Sequence, residues 1–135
     1  WLKSGAYLVI QPTEALTVVD VNTGKNVAKK EMQENFLRVN KEAAEEIARQ
    51  LRLRNLSGII LIDFINMENP DHSDELFHVL QKSAEEELLK TFRAALQKDP
   101  VPAQLIDMTA LGLVEVTRKK IKRPLHEIFP DGLGF

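Results

Sequence analysis

The segment that most restricts what this chain can fold into is Ile59-Ile60-Leu61-Ile62-Asp63-Phe64-Ile65, an almost unbroken apolar run with one acid inside it. Such a run reads as a strand covered on both faces, and therefore as the centre of a sheet. Asn55-Leu56-Ser57-Gly58 separates it from Glu34–Arg54. There Phe36, Val39, Ala43, Ile47 and Leu51 recur at helical spacing with Glu and Arg between them, which predicts an amphipathic helix. Asp63 is the anomaly, because a carboxylate leaving an apolar strand is costly without a partner. A buried ion pair with an arginine, a cap on the next loop, and a functional site are the open alternatives.

The flanking segments complete a layered domain. Ala6–Ile10 and Leu16–Val21 read as two strands of a hairpin around Pro12-Thr13-Glu14. After Asn69-Pro70-Asp71, Ser73 is placed to cap a second helix with Phe77, Leu80, Ala84, Leu88, Phe92 and Ala95 on its apolar face, ending near Asp99-Pro100. Val101–Ile106 predicts a short strand at a sheet edge, since Pro102 has no N–H to donate. Ala110–Lys120 reads as a last short helix carrying Leu111, Val114 and Ile121 inward. The order β-β-α-β-α-β-α describes an α/β fold, a mixed β-sheet with an N-terminal hairpin and flanking helices.

With 135 residues and 44% hydrophobic content, one core is affordable and a second full domain is not, so 1–135 is read as a single domain. There is no cysteine, so any metal must rest on oxygen or histidine ligands; this suits a reducing, cytoplasmic setting. No stretch approaches the ~20 apolar residues of a membrane span. The start, Trp1-Leu2-Lys3-Ser4-Gly5, has neither an initiator Met nor a signal-peptide stretch, as expected of a piece cut from a longer protein. The formal net charge of −2 argues against a general nucleic-acid binder. Yet Arg118, Lys119, Lys120, Lys122 and Arg123 form a dense basic run, and Arg49, Arg52 and Arg54 a smaller group. Either a solvated helix end with its tail or a phosphate-contacting tail fits that run. His72, His78 and His126 match no zinc spacing, and phosphate-loop, GxGxxG and GxSxG motifs are absent.

Asp20 ends the second predicted strand, and Asn22 follows on the same face of extended chain. Asp-x-Asn-x-Gly is also ordinary turn chemistry. In open α/β sheets, however, ligands gather at the carboxyl ends of strands. Two adjacent strand ends each presenting a carboxylate make an all-oxygen site suited to Mg²⁺ or Mn²⁺. Asn22 would add a neutral ligand or orient Asp20, and Lys25 would meet phosphate as a point charge or simply be solvated.

Several strings in order carry a family resemblance: Pro12-Thr13-Glu14-Ala15-Leu16-Thr17, Asp20-Val21-Asn22-Thr23-Gly24-Lys25, the stretch from Asn40 through Arg54, Gly58-Ile59-Ile60-Leu61-Ile62-Asp63-Phe64-Ile65, and Gly112-Leu113-Val114-Glu115-Val116-Thr117-Arg118-Lys119-Lys120. Together they resemble the deoxyribonuclease-I-like catalytic subdomain of the ribonuclease E/G family. The resemblance implies a hydrolase that cuts single-stranded RNA with Mg²⁺ held by Asp20, Asn22 and Asp63. In the longer parent, Lys25 and the run Arg118, Lys119, Lys120, Lys122 and Arg123, expected to be solvent-exposed, would add RNA contact through their charge. Asn66 stands where the family has a second acid, Thr23 where it has Ser, and Pro100 where it tends to have a basic residue. The family's oligonucleotide-binding-fold domain, 5′-phosphate pocket and Cys-x-x-Cys zinc link have no counterpart in this sequence, so RNA gripping and homo-oligomer assembly are expected from segments of a longer parent. The isolated piece is expected to be weakly active or inactive. The competing readings are a noncatalytic RNA-processing module that kept the fold, and an unrelated aspartyl-phosphate receiver, which would need an acidic cluster near the first strand.

Overall fold

A computed structural model of the chain describes residues 1–23, 33–67, 75–109 and 112–120. Its elements are β1 (Tyr7–Pro12), β2 (Leu16–Asn22), α1 (Gln33–Leu53), β3 (Gly58–Asp63), α2 (Glu75–Leu96), β4 (Ala103–Met108) and β5 (Val114–Arg118). The strands form one mixed sheet in the order β1-β2-β3-β5-β4. β1 and β2 pair antiparallel, as the hairpin reading predicts, while β2 and β3 run parallel across the α1 crossover. β3 is central, as its apolar run demands.

Both helices pack on one face of this sheet. Val19, Val21, Ile60, Ile62, Val114 and Val116 point from the strands into a core closed by Ala43, Ala44, Ile47, Ala48 and Leu51 of α1 and by Leu88, Phe92, Ala95 and Leu96 of α2. No described element covers the other face, where Val9 and Ile59 are exposed. The expectation that β3 is covered on both sides is therefore corrected: its aliphatic run serves one buried face and one open face. Leu80, expected on the buried side of α2, is also exposed. Among the described residues no helix is long and apolar enough to cross a membrane.

The last predicted helix is instead β5. Val114, Glu115, Val116 and Thr117 alternate between the core and the open face, and β-branched residues suit that pleat better than a helix. Gly112, at φ 84°, turns the chain back from β4, with Thr109 N–H donating to the Leu113 carbonyl at 2.7 Å. β5 then slots antiparallel between β3 and β4 and leaves β4 at the edge, the position predicted from Pro102. Pro102 contributes only its carbonyl, which accepts from Lys119 N–H at 2.9 Å.

Arg118 locks the end of this arrangement. Its side chain is buried and makes a two-pronged pair with the buried Asp99, Nε–Oδ2 at 2.7 Å and Nη2–Oδ1 at 3.3 Å. Nη1 donates to Asn55 Oδ1 at 2.9 Å and to the Leu56 carbonyl at 3.0 Å. Asn55 is the left-handed residue (φ 51°) that ends α1, with Leu56 N–H reaching back to the Leu51 carbonyl. One guanidinium thus joins the C-terminal ends of both helices to β5. The sequence expectation of a solvent-exposed, RNA-contacting Arg118 is corrected accordingly: its donors are spent inside the fold.

Burial alone would raise the Asp99 carboxyl. The hydrogen bonds from Arg118 and from Val101 N–H, with the charges of Arg118 and Arg52, outweigh it and hold Asp99 below its ordinary value. Breaking one side of a buried pair costs roughly 3–5 kcal/mol, so Arg118→Ala is expected to lose about that much in urea unfolding. A loss under about 1 kcal/mol would mean that the pair holds little together. Because the folded-state value of Asp99 is depressed, the wild-type contribution is complete above pH 3.8 and fades as acid titrates the group below that value.

Candidate metal centre

The parallel pairing of β2 with β3 makes Asp20 and Asp63 direct partners, each at the carboxyl end of its strand. Neighbouring strands lie about 4.8 Å apart, so the two side chains leave the sheet side by side. Both stand on the open face, because the alternate positions Val19, Val21 and Ile62 are buried under the helices. Asp20 is half-buried and Asp63 is exposed. Asn22 shares the face of Asp20 one pleat further along β2, opposite Tyr7 of β1. The sequence-predicted carboxylates are therefore brought together where strand ends collect ligands.

Their electrostatics are unfavourable without a cation. Partial desolvation, and then the negative charge of Asp20, push the Asp63 carboxyl above its ordinary value. Two carboxylates and a nearby amide carbonyl on an accessible face fit Mg²⁺, which is commonly held by one or two carboxylates and completes its shell with water and substrate phosphate. Among the described residues no group of three or more His, Cys, Asp or Glu that could hold a metal ion is found.

Among the described residues, the basic run does not reach this site. Arg118 pairs with Gly58, at the opposite end of β3 from Asp63, and five residues of strand correspond to about 16 Å. Lys119 and Lys120 follow it and are exposed. Lys25, Lys122 and Arg123 lie outside the described residues, as do His72 and His126. Sequence reasoning did not single out Asn40 or Phe64, which fix the chain immediately after Asp63. Asn40 Nδ2 donates to the Ile65 carbonyl and its Oδ1 accepts from Ile65 N–H, both at 2.9 Å. Phe64 meets the buried Phe92 edge to face at 5.8 Å. An uncharged residue within a charged amphipathic helix was the only available signal for Asn40.

A family model for the ribonuclease E/G family matches residues 1–121. The chain is 45% identical over 127 residues to ribonuclease G of Escherichia coli, covering 94% of this chain and 24% of that protein. It is 46% identical over 128 residues to ribonuclease E of Synechocystis, covering 95% of this chain and 17% of the relative. Ribonuclease G of Haemophilus influenzae is 42% identical over 130 residues. The chain thus spans a quarter or less of the length of these relatives.

The carboxylate repulsion has a measurable sign. A folded-state value raised above that of the unfolded chain means that metal-free stability falls as pH rises from 3.8 through the folded-state value of Asp63. In EDTA at neutral pH, Asp63→Asn should therefore melt slightly above wild type, and the difference should close below pH 3.8. Saturating Mg²⁺ should raise the melting temperature of wild type and leave the variant unmoved. Melting curves that coincide in EDTA and respond equally to Mg²⁺ would contradict the site.

Proposed function

This chain belongs to the ribonuclease E/G family, and from that premise we propose that it is the Mg²⁺-dependent catalytic segment of an endoribonuclease that hydrolyses single-stranded RNA in RNA processing and decay. The observation that carries the reading is the in-register pairing of Asp20 with Asp63 on the face of the sheet that no described element covers. Two adjacent carboxylates whose charges oppose one another favour a metal-dependent enzyme over a noncatalytic RNA-processing module that kept the fold.

Asp20 and Asp63 would hold the ion, Mg²⁺ or in its place Mn²⁺, with Asn22 as a neutral ligand or as the group that orients Asp20. When bound, the ion neutralises charge on a phosphoryl oxygen and lowers the pKa of a water, the requirements for phosphodiester hydrolysis. Water attack would leave a 5′ phosphate on the downstream product. Neither described helix packs on the carboxylate-bearing face, which supports approach of an extended RNA strand from that side. Single-stranded RNA fits such a site because its backbone can be brought to the carboxylates without unwinding a helix. Lys119 and Lys120, at the far end of the sheet, would give a distal, salt-sensitive backbone contact. Lys25 would meet phosphate as a point charge.

In this reading RNA gripping falls to segments outside this sequence, since the described cations Arg118, Lys119 and Lys120 lie at or beyond the opposite end of β3 from the carboxylate pair. Positioning contributes several kcal/mol to a barrier, so the chain alone should cleave a 5′-monophosphorylated single-stranded RNA orders of magnitude more slowly than a full-length ribonuclease carrying it. In that full-length protein, Asp20→Asn and Asp63→Asn should each reduce turnover at saturating RNA by on the order of 10²-fold or more, with the fold intact by circular dichroism. Unchanged turnover in either variant at saturating Mg²⁺ would rule out the role. Full-rate cleavage by the isolated chain would show that it grips RNA by itself.

A further inference from the structure

Asn40 lies on α1 and is completely buried, yet both ends of its amide are satisfied by a single residue on a distant segment. The Nδ2–H donates to the Ile65 carbonyl and Oδ1 accepts from the Ile65 N–H, each at 2.9 Å. This is the two-bond exchange that a strand residue makes with an antiparallel neighbour, here supplied by a side chain after the β3 ladder has ended. An amide suits the task because it carries a donor and an acceptor together; aspartate lacks the donor and alanine lacks both.

The place it holds is the turn out of the metal centre. Ile65 is two residues beyond Asp63, and its side chain packs with Ala6 and Val39. Phe64 between them is seated on Phe92 of α2. The backbone leaving Asp63 is thus fixed from α1 at residue 65 and from α2 at residue 64. A carboxylate on the last residue of a strand would otherwise share the freedom of the loop that follows.

We propose that Asn40 is a positioning residue for Asp63: by clamping the backbone of Ile65 it keeps the Asp63 carboxylate beside Asp20 in the arrangement a divalent cation needs. The proposal rests on the metal-centre reading of Asp20 and Asp63. Groups that orient metal ligands typically change affinity by about 10–100-fold when removed.

The test is Mn²⁺ binding to the 135-residue chain, read from the free-ion electron paramagnetic resonance signal, alongside urea unfolding. Asn40→Ala and Asn40→Asp are compared with Leu51→Ala, a buried change near the other end of α1 that lowers stability while leaving both Asn40–Ile65 hydrogen-bond partners intact. Both Asn40 variants should lose roughly 10–100-fold in Mn²⁺ affinity, while Leu51→Ala stays within about twofold of wild type. Wild-type affinity in the folded Asn40 variants, or an equal loss in Leu51→Ala, would overturn the proposal and leave the metal centre standing. Absence of Mn²⁺ binding by wild type would overturn both. Should the Asn40 variants not fold, the wild-type protein gives the answer through reciprocity of coupling. Saturating Mg²⁺ should then slow hydrogen exchange of the Ile65 amide more than that of the α2 amide at Leu96, and equal slowing would count against the proposal.

Discussion

The parallel register of β2 against β3 is the constraint on which the rest of this molecule depends. Side chains alternate faces along a strand, so a slip by one residue would send Asp63 into the apolar layer and Ile62 to the open face. The register is set by burial of Val19 and Val21 on one strand and Ile60 and Ile62 on the other. The hydrophobic core and the carboxylate pair are consequently specified by the same alternation. What places the apolar groups under the helices places the acids together on the other side.

Around this register the fold divides its polar resources by location. At the carboxyl ends of β2 and β3, like charges are left facing each other in an accessible position, a local cost that a divalent ion would relieve. At the opposite end, Arg118 and Asp99 are buried and fully engaged, tying α1, α2 and β5 together. The two ends illustrate different uses of charge. One is compensated within the protein and serves the fold, while the other lacks compensation among the described residues and is suited to binding.

Much of this was legible in the sequence where signals were local. The helical spacing from Phe36 to Leu51, the hairpin around Pro12, the apolar run at Ile59 and the edge position implied by Pro102 all correspond to observed elements. The placement of Asp20 and Asp63 at strand ends followed from the same reasoning, and their adjacency is now a matter of register. The misread features depend on partners far away in sequence. Leu111, Val114 and Ile121 mimic helical spacing, and only the vacant side of β3 selects the alternation of Val114 and Val116 instead. Arg118 looked like one of several solvated cations, but its partners Asp99 and Asn55 lie 19 and 63 residues away. Asn40 is 25 residues from Ile65, so its role could not be seen in the local pattern.

The central claim is that Asp20 and Asp63 form one divalent-metal centre on the open face of the sheet. Crystals soaked in Mn²⁺ and measured for anomalous scattering address it most directly. The account predicts an anomalous peak between the two carboxylates, with metal–oxygen distances of about 2.1–2.2 Å, that disappears in Asp63→Asn. A structure in which the carboxylates point to opposite faces of the sheet, or in which Mn²⁺ binds elsewhere and leaves this pair without metal, would contradict it.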